Sequence, residues 1–468
     1  MAGHPDITTR PTWIGGKSRL ARGVAQPVAR FLSIEAAGGI LLLLATGVAL
    51  IWANSPWHGS YEDLLHTEFV LGIGGWEFTE HGHPWTFELL VNDALMAVFF
   101  FVVGLEIKQE LVVGELSDPR AASLPAVAAL GGMVVPAGIY LMLNSSGSGS
   151  AGWGIPMATD IAFAVGVVAL LGKRVPSSLK IFLLTLAIVD DIGAIAVIAI
   201  FYSEGISFGW LAAAIVLMVV AAVMKRARVW YIPAYVIVGV VIWFATFQSG
   251  VHATIAGVAM GLLCPARPLH RQARTAEVID KLERSSTLNA NAIREAYFDL
   301  KESVSVAERL ETLLHPWTSY VVIPVFALAN AGLVITADGL SDAASSTVTL
   351  GVVLGLVVGK TIGVAGATWI AARLGLAPLP VGVRVLHLAG IGMIAGIGFT
   401  VAIFVGGLAF EDPTLADQSL LGILIASVIA AICGSVMLTA AGNNTIEVPA
   451  EEYDEMVDTG DLVPSGGD

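Results

Sequence analysis

Apolar runs of about twenty residues recur from Ile34 to Ala440, broken by short polar stretches. Within each run the apolar residues are continuous rather than alternating, which predicts bilayer-crossing α-helices and not a barrel. Twelve spans are expected, roughly 34–54, 87–110, 121–143, 154–172, 178–201, 207–224, 229–247, 249–264, 316–335, 347–371, 384–408 and 418–440. The chain therefore reads as an all-α polytopic membrane protein. Two spans carry a break. One is Gly154-Ile-Pro-Met-Ala-Thr-Asp-Ile-Ala-Phe-Ala-Val-Gly166, where Pro156 and the Thr159-Asp160 pair sit in apolar sequence. The other is Gly390-Ile-Gly-Met-Ile-Ala-Gly-Ile-Gly-Phe-Thr400. Taken alone, the second reads equally well as glycines that let helices pack closely. Taken with Thr159 and Asp160, the two breaks predict discontinuous helices crossing at the bilayer midplane, one in each of two inverted repeats.

The polar remainder sets the orientation. With the N-terminus inside, Arg10 to Arg30, Lys108, Arg120, Lys173, Arg174, Lys180, Lys225, Arg226 and Arg228 fall on the cytoplasmic side. The bases from Arg267 to Arg309, and Arg373 and Arg384, fall there too, and the expected outer loops hold no Lys or Arg. This is the positive-inside pattern. The expected organisation is a basic cytoplasmic arm over 1–33, a membrane domain over 34–440, and an acidic disordered cytoplasmic tail over 441–468. Within the membrane domain lie a charged, partly helical cytoplasmic insertion over 265–315 and an outer segment over 62–81. In the latter, Gly74-Gly75 between β-prone residues fits a hairpin turn, and an irregular loop fits as well.

Composition agrees. Of the 468 residues 56% are apolar and 13% charged, about half the charged share of a soluble domain. The net charge of −14 gives no reason to expect nucleic acid as a partner, because eight acids and no base lie between Glu447 and Asp468 alone. Cys264 and Cys433 end apolar runs and read as helix-packing residues, not as a disulfide or metal site. The first apolar run is span-length and follows a basic arm, so no cleavable signal peptide is expected.

Besides Asp160, three further charges stand at membrane depth. Asp190 and Asp191 are adjacent in Leu183-Leu-Thr-Leu-Ala-Ile-Val-Asp-Asp-Ile-Gly-Ala-Ile-Ala-Val-Ile-Ala-Ile200. One acid there costs roughly 2.5–3.5 kcal/mol on the insertion scale. Neighbours on a helix point about 100° apart, so the pair offers two directions. Such groups can bind a cation, carry a proton or pair with a buried base. Lys360, in Gly351-Val-Val-Leu-Gly-Leu-Val-Val-Gly-Lys-Thr-Ile-Gly363, is a natural partner for them. Glycines 351, 355, 359 and 363 share one face, which predicts close helix packing. The same stretch imitates a phosphate-binding loop but is one residue short, with Leu354 where the first glycine belongs, and it lies in an apolar helix. ATP hydrolysis, and with it an enzyme, is rejected; no cofactor is expected, and the energy source is an ion gradient or the membrane potential.

Further acids flank the spans. Asp93 lies near the outer end of the second span, and Glu106 and Glu110 are one turn apart at its inner end. Glu311 and His315 repeat the i,i+4 spacing before the ninth span. Glu106, Glu110 and Glu311 read either as solvated helix-end charges or, with His315, as a cytoplasmic cluster titrating between roughly pH 6 and 9. His252, alone in Ser249-Gly-Val-His-Ala-Thr-Ile-Ala-Gly257, reads as a hydrogen-bonded structural histidine.

Together these segments resemble the bacterial NhaA-type sodium/proton antiporters, which are among the transporters from which the broken-helix rule was drawn. The matching stretches are Asn92–Glu110, Ala158-Thr-Asp-Ile-Ala-Phe-Ala164, Leu186-Ala-Ile-Val-Asp-Asp-Ile-Gly193, Gly250-Val-His-Ala-Thr254, Leu314-His-Pro-Trp317, Gly359-Lys360 and Gly396-Ile-Gly-Phe-Thr400, in family order over about 30–440. The resemblance implies that Asp190 and Asp191 bind Na⁺ or Li⁺ in exchange for H⁺. It implies that Thr159 and Asp160 balance helix-end charge, and that Lys360 pairs with Asp190 when no cation is bound. Glu106, Glu110, Glu311 and His315 would form a pH-sensing region, Asp93 and His252 would be auxiliary, and the outer hairpin would join a homodimer in the inner membrane. Better-known members have a base where Gln109 stands and a histidine where Thr312 stands, so the pH profile is expected to differ.

Three other classes fit less well. An intramembrane aspartyl protease needs Gly-x-Gly-Asp and acids on separate helices. A cation channel needs a continuous pore and no proton exchange. A sensor on a transporter scaffold would usually lose the acids or Lys360, all of which are present.

Overall fold

The computed structural model describes residues 37–69, 71–73, 76–80, 83–203, 205–227, 229, 231–268, 278, 290–376, 379 and 383–442. The basic arm, the acidic tail, Gly74-Gly75 and most of 265–289 lie outside the described residues.

Helix α1 (Ala37–Ala53) turns sharply into α2 (His58–Leu65), and four short strands follow: β1 (Glu68–Phe69), β2 (Leu71–Ile73), β3 (Trp76–Glu80) and β4 (His83–Thr86). They pair antiparallel in the order β1-β4-β3-β2, with Ile73 opposite Trp76 across the Gly74-Gly75 position. Next come α3 (Phe87–Val112) and α4 (Pro119–Leu143). A 3-10 segment, Ser148–Met157, then leads into α5 (Ile161–Leu171). Helices α6 (Ser177–Phe201), α7 (Phe208–Arg226), α8 (Ile232–Gln248) and α9 (Thr254–Leu263) complete the first part. Then follow α10 (Ala290–Glu302), α11 (Val306–Asn330), α12 (Ala337–Ser345), α13 (Thr347–Arg373), α14 (Val385–Ala395), α15 (Phe399–Ala409) and α16 (Pro413–Ala441).

The described residues form an all-α membrane protein with one small sheet. Seven helices, α3, α4, α6, α7, α11, α13 and α16, are long and apolar enough to cross a membrane singly, and up to ten spans result if each bent pair counts as one. The bent pairs are α1 with α2 (117°), Ser148–Met157 with α5 (42°), and α14 with α15 (49°). Every expected span position carries an apolar helix or a bent pair, but α8 and α9 are short, at 17 and 10 residues. Helices α6 and α13 are the most enclosed, with 56% of their apolar windows buried, against 11% for α7. Asp190 and Asp191 of α6 and Lys360 of α13 accordingly sit inside protein, not against lipid.

Bare backbone lets these helices approach. A Cβ on Gly363 of α13 would overlap the Gly131 carbonyl of α4, and one on Gly359 would come 2.7 Å from Pro136 Cα. Gly355 faces Pro156, and Gly351 faces Tyr140. The expected glycine face is thus the α4–α13 seam. A second seam joins α3 to α9, where Gly257 and Gly261 press on the backbone of Ala97, Phe101 and Gly104. Small residues at such seams replace the hydrophobic drive that lipid cannot supply.

One boundary differs from the sequence reading. The ninth span was expected from 316 to 335, but α11 begins at Val306, passes through Pro316 and ends at Asn330. A π-helical turn at Thr318–Val322 follows the proline, a local widening of the kind that re-satisfies freed backbone groups. Beyond Asn330 the chain is not helical until α12 and is held by Asn54, which donates to the Leu333 carbonyl (2.7 Å) and accepts from the Ile335 N–H (2.7 Å). The C-terminal end of the expected 265–315 insertion, from Val306 on, is therefore the start of a span-length helix.

Candidate ion-binding site

The two breaks meet. After Met157 the chain leaves the 3-10 segment through Ala158, Thr159 and Asp160 before α5 starts, and Gly396, Ile397 and Gly398 separate α14 from α15. The Asp160 N–H donates to the Ile397 carbonyl at 2.7 Å, and the Thr159 hydroxyl lies 2.8 Å from the Ala395 carbonyl. Orphan carbonyls at the end of one half-helix are thus satisfied by the other break.

Asp160 serves two helix N-termini at once. Its Oδ1 accepts from the Phe163 N–H of α5 (2.9 Å), and its Oδ2 accepts from the Thr400 N–H (3.0 Å) and hydroxyl (2.5 Å) of α15. A carboxylate placed between two positive helix ends is favoured at both. Ser427 of α16 adds a hydroxyl to the Phe399 N–H at 3.3 Å. The close crossing needs Gly396, where any Cβ would overlap the Leu356 carbonyl of α13.

Beside this crossing lies the expected charged pair. Lys360 Nζ is 2.5 Å from Asp190 Oδ2, with both side chains wholly buried. Lys360 follows a π-helical turn at Gly355–Gly359, and Gly132 of α4 lies beside its stem, where a Cβ would come 2.9 Å from the Val364 side chain of α13. The Thr159 hydroxyl is 3.0 Å from the same Asp190 oxygen, so its single proton can go to Asp190 or to the Ala395 carbonyl. Asp190 Oδ1 and Asp191 Oδ1 are buried and accept no hydrogen bond from the described residues. Asp160, Asp190, Asp191 and Thr159 are thus assembled with one ammonium. Fully ionised, three carboxylates and Lys360 carry a net charge of −2, which cations or protons must offset in so dry a place.

The second expected cluster is only partly assembled. Glu106 lies within electrostatic reach of Asp191 on one side and of Glu110 and Glu311 on the other. Gln109 Nε2 donates to Glu311 Oε2, joining α3 to α11, and Glu110 accepts from the Glu115 N–H at 3.0 Å. His315 is exposed, and among the described residues its ring makes no hydrogen bond or ion pair with these acids. Asp93 lies on a π-helical turn, Leu90–Leu95, and its carbonyl accepts from Trp243 Nε1 at 3.1 Å. His252 Nε2 is 2.7 Å from the Tyr202 carbonyl, the hydrogen bond a structural histidine needs.

Four participants were absent from the sequence reading of site residues: the Thr400 hydroxyl, the Ala395 and Ile397 carbonyls, and Gln109 as a partner of Glu311. Thr400 had a signal, a hydroxyl two residues after the second glycine-rich break. The carbonyls had none, because every residue type carries one.

Comparison with known proteins supports the same reading. The family model of the Na+/H+ antiporter 1 family matches residues 29–438. The chain is 48% identical over 421 residues to a Na(+)/H(+) antiporter NhaA of Rhodopirellula baltica, covering 88% of this chain and 93% of that one. It is 46% identical over 422 residues to a Na(+)/H(+) antiporter NhaA 3 of Frankia alni, covering 90% and 89%. A Na(+)/H(+) antiporter NhaA 2 of Sorangium cellulosum is 45% identical over 470 residues, covering 96% and 98%. A multi-pass membrane protein with two broken helices hydrogen-bonded at their breaks, and a match that runs almost from end to end, belongs to the Na+/H+ antiporter 1 family.

Proposed function

We propose that this protein exchanges cytoplasmic Na⁺, or Li⁺, for external H⁺ at the crossing of its broken helices. The observation that carries this reading is the wholly buried Lys360–Asp190 pair at 2.5 Å, beside Asp191, whose Oδ1 accepts no hydrogen bond from the described residues. A cation or protons can occupy the same carboxylates but not both at once, and that competition is the exchange. A dehydrated Na⁺ is held by Asp190, Asp191 and nearby backbone oxygens, and Lys360 takes Asp190 back when the ion leaves. Thr159 and Asp160 hold the breaks in place around the site. One helix bundle rocks against the other and turns the site outward, where protons displace the ion.

The finer reading is a twelve-span chain with two inverted repeats, both termini in the cytoplasm of a bacterial inner membrane, and a homodimer joined by the outer strands. Exchange of more than one proton per sodium makes the cycle electrogenic. Each net charge then gains about 2.3 kcal/mol per 100 mV. Glu106, Glu110 and Glu311, with Gln109, regulate the cycle by pH, and Asp93 and His252 support the fold nearby.

The test is reconstitution in liposomes holding an internal pH dye, with sodium added at several pH values to wild type and Asp191→Asn. Sodium-triggered proton movement is expected in wild type and absent in the variant. Sodium flux with no coupled proton movement would instead favour a channel.

A further inference from the structure

The outer half of the first broken pair is unusual. Ser148–Met157 is a ten-residue 3-10 segment, and such runs seldom exceed three or four residues because their hydrogen bonds are poorly aligned. Two tyrosines compensate. The Tyr140 hydroxyl donates to the Gly149 carbonyl at 2.7 Å. The Tyr202 hydroxyl donates to the Ala151 carbonyl at 2.7 Å and accepts from the Gly154 N–H at 3.1 Å. Gly154 permits this, since a Cβ there would come 2.7 Å from the Tyr202 hydroxyl oxygen. Trp153 meets Phe201 edge to face, with ring centroids 5.1 Å apart. Tyr202 itself is buried, and that burial pushes its hydroxyl up to about 12, so it stays a donor across the physiological range.

Tyr202 also closes a frame. It follows directly on α6, the helix of Asp190 and Asp191, about 18 Å along the axis from Asp190 at 1.5 Å per residue. Just past the other end of the 3-10 segment, Thr159 returns to α6 through Asp190 at 3.0 Å. The segment is thus fastened to one helix at both ends, and the Tyr202 carbonyl ties the outer fastening to His252 before α9.

We propose that Tyr202 is a positioning residue for ion binding, fixing the outer half-helix against α6 and thereby setting Thr159 and Asp160 against Asp190 and Asp191. The proposal rests on the exchange reading given above. Tyr202 acts at a distance from the ion, through the register of the segment.

The experiment compares wild type, Tyr202→Phe, Thr159→Ala and the double variant in pH-dye liposomes. Tyr202→Phe removes one hydroxyl and no packing volume. It is expected to raise the apparent KM for sodium about three- to tenfold, the effect of a lost hydrogen bond, with the maximal rate kept within about twofold. The double variant is expected to raise KM by less than the product of the single effects, because Tyr202 acts through Thr159. A wild-type KM in Tyr202→Phe, or a fully multiplicative double variant, overturns the proposal. Gly154→Ala, which pushes on the same hydroxyl, is expected to raise KM as well and carries the test if Tyr202→Phe folds poorly. Unchanged variants in an exchanging wild type overturn the positioning role alone; a wild type that moves no protons on sodium addition overturns the exchange reading and this proposal with it.

Discussion

Lys360 and Asp190 hold each other in a place neither could occupy alone. Removing one partner of a buried ion pair typically costs about 3–5 kcal/mol, whereas removing both can be nearly neutral. Lys360→Met is therefore expected to lower the melting temperature in detergent markedly, and Lys360→Met with Asp190→Asn to recover much of the loss. Equal destabilisation in the single and double variants would show that the pair does not set the stability here. Thr400→Val makes a separate point, since it deletes a 2.5 Å hydroxyl bond to the Asp160 carboxylate without changing side-chain shape. A bond to a charged group is worth about 1.5–3 kcal/mol, and a loss of that order in denaturation is expected. At the acid cluster, Gln109→Glu would face Glu311 with a second carboxylate. It is expected to displace the pH–activity curve while leaving the sodium KM at saturating pH unchanged; an unmoved curve would sever that cluster from regulation.

Helices here are positioned by what their glycines lack. Gly363→Ala would force a methyl into the Gly131 carbonyl, whereas Gly366, three residues on, has nothing within 4 Å of the same added methyl. Gly363→Ala is expected to reduce both transport and thermal stability. Gly366→Ala is expected to be neutral, or stabilising by up to about 1 kcal/mol through helix propensity. Matching losses at both positions would mean that glycine flexibility, and not the seam, is what matters. The sequence exposed some of this and hid the rest for physical reasons. Asp190, Asp191, Asp160 and Lys360 were legible because a charge in apolar sequence is costly enough to need an account. The glycine face of α13 was legible through its four-residue period. The π-helical turns at Leu90–Leu95, Thr318–Val322 and Gly355–Gly359 left no trace, since one extra residue in a helical turn needs no particular side chain. Pro316 suggested where a span begins, yet α11 continues through it, with the π-helical turn at Thr318–Val322 just after. His315 shares a four-residue spacing with Glu311, but spacing along one helix cannot say which neighbours stand opposite.

At the level of the complete transporter, the proposed cycle moves charge. Under an interior-negative potassium diffusion potential, proteoliposomes loaded with sodium are expected to extrude it faster than at zero potential. Equal rates would mean one proton per sodium and a neutral cycle. The four strands are not a loose appendage: Trp85 of β4 is buried against Trp243 and Phe247 of α8, with ring centroids 5.7 and 5.0 Å apart. That packing joins the sheet to α8, and Trp243 joins α8 in turn to the Asp93 carbonyl of α3.

The carboxylate shared by two helix ends has a bearing on inheritance. Asp160 and Thr400 are 240 positions apart, yet each is half of one joint. A mutation at Asp160 loosens both halves of the gene product together, and no change confined to α5 can mend the α15 side. Revertants selected from Asp160→Asn on high sodium should therefore map to both halves of the gene, gathering around Thr400, Gly396 and Ser427 as readily as around Phe163.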